Sequence, residues 1–97
     1  MIRTYELMYV IDSSLPEENI KAVIEKINST IKRNGELLEQ QNLGDRKLAY
    51  PIKKKQRGTY IFNLIKGENN VITETERTLK ITDGVLRYLT VRKDKTS

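Results

Sequence analysis

The sequence predicts an α+β domain of the ferredoxin-like kind, β-α-β-β-α-β, with a four-stranded antiparallel sheet in the order 2-3-1-4 and two helices on one face. Three observations predict it. Two segments with helical apolar spacing alternate with four strand-like runs. The first and third of those runs carry apolar residues on both faces, as central strands do. The chain has 97 residues and no internal linker, so residues 1–97 read as one domain. Right-handed crossovers and antiparallel pairing then give the strand order.

The first strand is Thr4–Ile11, short and rich in aromatic and aliphatic residues. Tyr5, Leu7, Tyr9 and Ile11 share one face; Glu6, Met8 and Val10 share the other. A helix start follows. Ser14 and Glu17 have capping-box spacing, Pro16 suits the first turn, and Glu17 and Glu18 complement the helix dipole. Ile20, Val23, Ile24, Ile27 and Ile31 recur at helical spacing, and Asn34-Gly35 stops the helix with a left-handed glycine.

Glu36–Leu43 is a polar strand anchored early by Leu37 and Leu38. Gly44 marks a bulge, and the strand resumes over Arg46–Ile52. Pro51 cannot donate to a ladder, which puts this strand at a sheet edge. Lys53–Arg57 reads as a turn closed by Gly58. Thr59–Lys66 is the third strand, with Ile61 and Ile65 against Tyr60, Phe62 and Leu64. A second helix over Val71–Lys80 buries Val71, Ile72, Thr75 and Leu79; Asp83-Gly84 turns the chain into the last strand, Val85–Arg92. Residues 93–97 are expected to be a frayed polar tail.

The inventory excludes most catalysis. With no cysteine and no histidine, disulfides, thiolate metal sites and the commonest general base are absent. No Asp/Glu spacing resembles a calcium loop, so no metal or cofactor is expected. No run of about 18 apolar residues could cross a membrane, and the opening Met-Ile-Arg-Thr-Tyr-Glu does not read as a signal peptide. The expected setting is the cytoplasm.

Charge is segregated within a net +5. Residues 12–45 sum to −3, residues 46–66 to +7 with no acid, and residues 87–97 to +3. Clustered Lys and Arg suit a polyanion, since each cation placed at a phosphate releases condensed counterions. The topology gathers Arg3, Arg92, Lys93 and Lys95 at one end of the sheet. Lys53, Lys54, Lys55 and Arg57 lie at the other end with Arg87 nearby, and Arg46 and Lys47 lie on the edge strand. The candidate RNA-binding residues are therefore Arg3, Arg46, Lys47, Lys53, Lys54, Arg57, Arg87, Arg92 and Lys93. The helix-free face is expected to carry Met8, Val10, Tyr60, Phe62, Leu64 and Tyr88, with Leu86, as an apolar docking surface for a protein.

At Leu43-Gly44-Asp45-Arg46-Lys47-Leu48-Ala49-Tyr50-Pro51-Ile52-Lys53-Lys54 the sequence resembles the signature of the bacterial small-subunit ribosomal protein S6 family. Tyr5-Glu6, Gly58-x-Tyr60 and Ile81-x-Asp83-x-Val85-x-Arg87 extend the resemblance over essentially the whole chain. It implies a structural component of the small ribosomal subunit with no catalysis. It also implies binding to the central domain of small-subunit rRNA together with ribosomal protein S18, in assembly of the platform. The family pattern has basic residues at Arg3, Arg46, Lys47 and Arg87. The isolated chain is expected to be a monomer without a small-molecule substrate.

Other readings of the same topology stay open. An RRM-like single-strand RNA binder would use Tyr60 and Phe62, although Arg57-Gly58-Thr59-Tyr60-Ile61-Phe62 lacks the aromatic after Gly. An acylphosphatase-like enzyme needs an Arg in an anion loop after the first strand, where this chain has Asp12-Ser13-Ser14-Leu15-Pro16. A small-molecule regulatory module is the third.

Overall fold

Residues 1–93 are described by the computed structural model. Its elements are β1 (Arg3–Asp12), α1 (Glu17–Asn34), β2 (Glu36–Ile52), β3 (Lys55–Gly67), α2 (Asn69–Ile81) and β4 (Val85–Arg92). The strands lie in the order β2-β3-β1-β4 with every neighbouring pair antiparallel, as expected from the sequence. Lys95 and the rest of the expected polar tail beyond Lys93 lie outside the described residues.

The core forms where period-2 strands meet period-3.6 helices. Tyr5, Leu7, Tyr9 and Ile11 of β1 pack with Ile61 and Ile65 of β3 and Val85 of β4. α1 covers them with Val23, Ile27 and Ile31, and α2 with Val71, Ile72 and Leu79. Each such side chain contributes about 1.5–3 kcal/mol on full burial. Among the described residues, Tyr9 is the largest wholly buried side chain, and its hydroxyl finds no hydrogen-bond partner there. Burial pushes that phenol well above its usual range, because the phenolate would be desolvated.

β2 is too polar to be held by apolar contacts alone. Leu37 packs against the core, whereas Leu38 is largely exposed. A chain of amides supplies the missing anchor. Asn28 of α1 and Gln40 of β2 exchange hydrogen bonds; the Gln40 amide also donates to Asn63 Oδ1 at 2.7 Å. Asn63, fully buried on β3, donates onward to the Leu7 carbonyl of β1 at 3.2 Å. One α-helix and three strands are thereby joined through an amide network that runs from half-buried Asn28 and Gln40 to fully buried Asn63.

Four local expectations are corrected. The Ser14/Glu17 capping box does not form: Pro16 is the N-cap, and the helix has no side-chain cap bond. The Ser14 amide and hydroxyl instead donate to Asp12 Oδ1, at 2.9 and 2.7 Å, because a carboxylate ending β1 is a stronger acceptor within reach. Gly35 is extended (φ −168°), not left-handed. A Cβ there would stand 2.7 Å from the Lys66 carbonyl and 2.9 Å from Val71 Cγ2, so close approach of α1 to β3 and α2 requires the glycine. The turn between β2 and β3 is only Lys53-Lys54, both at positive φ (51° and 66°), with Lys55–Arg57 already in β3. Finally, β4 carries a register shift opposite Val10/Ile11: Ile11 faces Val85 and Val10 faces Arg87, with Leu86 as the extra residue. That bulge reverses the alternation beyond it. Tyr88, expected on the helix-free face, pairs with Tyr9 and packs against the helix-side core. The bulge at Gly44 (φ +88°) is where the sequence placed it.

Candidate nucleic-acid interface

β1 ends at Asp12, opposite Gly58. Beyond that point β2 and β3 run on as a two-stranded arm, pairing Arg46 with Gly58, Lys47 with Arg57 and Ile52 with Lys55. The arm holds Arg46, Lys47, Lys53, Lys54, Lys55 and Arg57 and no acid between residues 46 and 57. All six are exposed. Three already have intramolecular partners. Lys55 Nζ lies 3.2 Å from the largely buried Asp12 carboxylate. Arg57 Nε donates to both Asp45 oxygens, at 3.2 and 3.1 Å. Arg46 Nε donates to the Leu43 carbonyl at 3.1 Å. Lys47, Lys53 and Lys54 make no ion pair among the described residues.

The foot of the arm is a shallow hollow of about 310 Å³ lined by Asp12, Ser13, Ser14, Asp45, Lys55, Gln56 and Arg57. Burial raises the Asp12 pKa. The Ser14 hydroxyl, the Ser14 amide and Lys55 together outweigh that and hold its carboxyl below the usual range. The Ser13 hydroxyl and the Arg57 guanidinium likewise hold Asp45 low. Both acids therefore stay ionised at neutral pH and compete with any incoming anion for Lys55 and Arg57.

The opposite pole assembles Arg3, Arg92 and Lys93: Arg3 faces Gly67, Arg92 faces Tyr5, and the Lys93 amide donates to the Thr4 carbonyl at 2.8 Å. Glu36 and Glu68 stand at this same end, around a hollow with Lys66, and the N-terminal ammonium lies 3.7 Å from Glu68. Acids thus stand at both poles: Glu36 and Glu68 here, Asp12 and Asp45 at the foot of the arm. The poles are roughly 30 Å apart along β1. Arg87 sits exposed on the helix-free face opposite Val10, beside a groove lined by Met8, Val10, Tyr60, Tyr88 and Leu89.

The expected apolar docking face is partly filled from within. Val10, 2% exposed, forms a second small core with Leu48 and Leu86, flanked by Ile52 and Tyr60. Val10 thus has no surface to offer a partner, because the arm folds Leu48 over it. Met8, Phe62 and Leu64 remain half-buried. Leu89 and Val91, opposite Met8 and Glu6, are 60% and 49% exposed. Sequence reasoning missed these two because the β4 bulge was not legible. It also passed over Tyr50, 69% exposed on the arm; its signal was an aromatic inside the acid-free segment.

Among the described residues no group of three or more Asp or Glu side chains converges on a point where a metal could sit. The class that the fold defines is a ferredoxin-like α+β domain, here with a cationic two-stranded arm projecting past the end of β1. The family model described as Ribosomal protein S6 matches residues 4–92, and the chain belongs to that family. It is 46% identical over 94 residues to the small ribosomal subunit protein bS6 of Caldanaerobacter subterraneus, covering 96% of this chain and 99% of the relative. The bS6 protein of Thermoanaerobacter pseudethanolicus is 44% identical over 95 residues, 97% of this chain and 100% of the relative. Among solved structures, the 30S ribosomal protein S6 of Thermotoga maritima superposes with a TM-score of 0.90 at 28% identity, covering 96% of this chain and 89% of that one. The chain is thus a small-subunit ribosomal protein of the S6 family.

Proposed function

We propose that this protein is a non-catalytic component of the cytoplasmic small ribosomal subunit. In this reading it binds the central domain of small-subunit rRNA, together with ribosomal protein S18, during assembly of the platform. The observation that carries the RNA part is the acid-free arm: six exposed cations on two strands and the turn joining them, at and beyond the end of β1. Lys47, Lys53 and Lys54 are its first phosphate contacts, since they give up no carboxylate on binding. Arg46 and Arg57 act behind them. Arg3, Arg92 and Lys93 supply the second pole, and Arg87 lies on the helix-free face between the two poles. Such contacts position the protein on RNA and read little base sequence. S18 would cover Met8, Tyr60, Phe62, Leu64, Leu89 and Val91, removing the remaining apolar surface of the helix-free face from water.

Footprinting on a small-subunit rRNA junction fragment, with and without S18, at low and moderate salt, tests both parts. Protection should require both proteins and should weaken steeply with salt, as counterion release demands. Binding that hardly responds to salt would remove the phosphate contacts from the reading; protection indifferent to S18 would remove joint assembly.

A further inference from the structure

Between the paired positions Lys47–Arg57 and Ile52–Lys55, four residues of β2 stand against the single Gln56 of β3. Leu48 turns inward, 6% exposed, onto Val10 and Leu86, and Ile52 packs on the same cluster. The three residues between these anchors, Ala49, Tyr50 and Pro51, are all exposed. The bulge is therefore pinned at both ends and turned outward in its middle, and what it presents is an aromatic ring. Wide bulges commonly re-aim a side chain in this way. Just beyond it, Lys53 and Lys54 occupy left-handed backbone. A two-residue hairpin turn demands that conformation at both positions, and it sets the two lysines at the tip of the arm.

Resting on the RNA reading above, we propose that Tyr50 stacks on an unpaired nucleobase of the bound RNA, while Lys47, Lys53 and Lys54 hold the phosphates on either side. Tyr50 is three positions along the chain from Lys47 and from Lys53, at most about 10 Å of strand each way, so ring and cations can engage neighbouring nucleotides. The absence of acids from residues 46–57 matches a polyanion rather than a protein of mixed charge. An aromatic platform inside a cationic groove is the combination by which single-stranded segments are held, since every base has a π-face. The arm then contributes two separable kinds of contact: a salt-sensitive one to the backbone and a salt-insensitive one to a base.

The chain has no tryptophan, so Tyr50→Trp installs a single reporter at this site. Its emission is followed on adding complete small-subunit rRNA, alone and with the remaining small-subunit proteins, read as the difference from the same mixture containing the tryptophan-free parent chain, with a fully paired RNA duplex as control. Stacking should quench the indole with rRNA and leave it nearly unchanged with duplex. In parallel, Tyr50→Ala should weaken rRNA binding roughly tenfold at unchanged salt slope, and Tyr50→Phe should retain it. Lys53→Ala should weaken binding and lower the slope by about one. Wild-type affinity in Tyr50→Ala alongside a reduced slope in Lys53→Ala would overturn the stacking role and leave the RNA reading standing. Loss of both effects would remove the RNA reading itself. A Tyr50→Ala defect seen only in capture of another small-subunit protein, with rRNA affinity intact, would also overturn stacking.

Discussion

Gly58→Ala offers a direct test of the small second core beneath the arm. A Cβ at position 58 would lie 2.2 Å from Val10 Cγ1. Carbon atoms rest at about 3.5–4.0 Å, so Val10 must retreat by well over 1 Å. It has nowhere to go: its χ1 is stiff, it is 2% exposed, and Leu48 and Leu86 close the site. Overpacking of this kind costs about 1–3 kcal/mol, reduced by the about 0.5–1 kcal/mol that replacing a strand glycine returns. A net loss of about 1–2 kcal/mol is expected, or a fall in Tm of about 10 °C for a domain of this size. Val10→Ala alone should cost about 2 kcal/mol in lost burial and residual cavity. In the double variant the alanine methyl at 58 occupies the space that Val10 vacates. The pair should then cost at least about 1 kcal/mol less than the sum of the single changes. Urea denaturation of the four proteins measures this coupling directly. Additivity within about 0.5 kcal/mol would refute the claim that the two residues share one site.

Three further outcomes follow from the same structure. Tyr9→Phe removes a buried hydroxyl that has no partner among the described residues and should raise stability by about 1 kcal/mol in urea denaturation; a loss would mean that a bound water pairs it. The folded pKa of Asp12 is depressed, so its stabilising contribution is complete above the unfolded value of about 3.9 and is lost as pH falls through the folded one. Denaturation midpoints measured downward from about pH 5 should fall less steeply for Asp12→Asn than for the parent chain. Lys53→Asn with Lys54→Gly supplies residues suited to two left-handed positions and should stabilise the hairpin by about 1 kcal/mol. The same variant should bind small-subunit rRNA more weakly and with a lower salt slope; unchanged binding would show that the turn lysines touch no phosphate.

Element order, strand order and the two helix stripes were legible because each rests on periodicity repeated over many residues. Val23, Ile27 and Ile31, or Tyr5, Leu7 and Tyr9, give the same answer several times over. The errors sit where one residue decides. A single extra residue at Leu86 moves Tyr88 to the helix side and brings Leu89 and Val91 to the other. Ser14 had two competing partners, and the choice of Asp12 over the helix start depended on where β1 ended in space. Gly35 was identified as necessary for a reason that was not the operative one, because the crowding by Lys66 and Val71 comes from residues far away in sequence. The basic segment was plain in the composition. That Lys55 and Arg57 are committed to Asp12 and Asp45, while Lys47, Lys53 and Lys54 are not, required the fold.

The amide chain from Asn28 through Gln40 and Asn63 to the Leu7 carbonyl reaches further than the strand it touches. An edge ribbon this hydrophilic could slide along its neighbour with little penalty from hydrocarbon alone. Any such displacement would strand the Asn63 carboxamide in a dry interior, so one alignment prevails. Because β2 continues from this clasp to Ile52, the lysines at its far end inherit that alignment; a two-residue offset would carry them about 7 Å from their place relative to β1. The clasp thus acts as a gauge, setting at one end of the ribbon how far the charged tip reaches at the other.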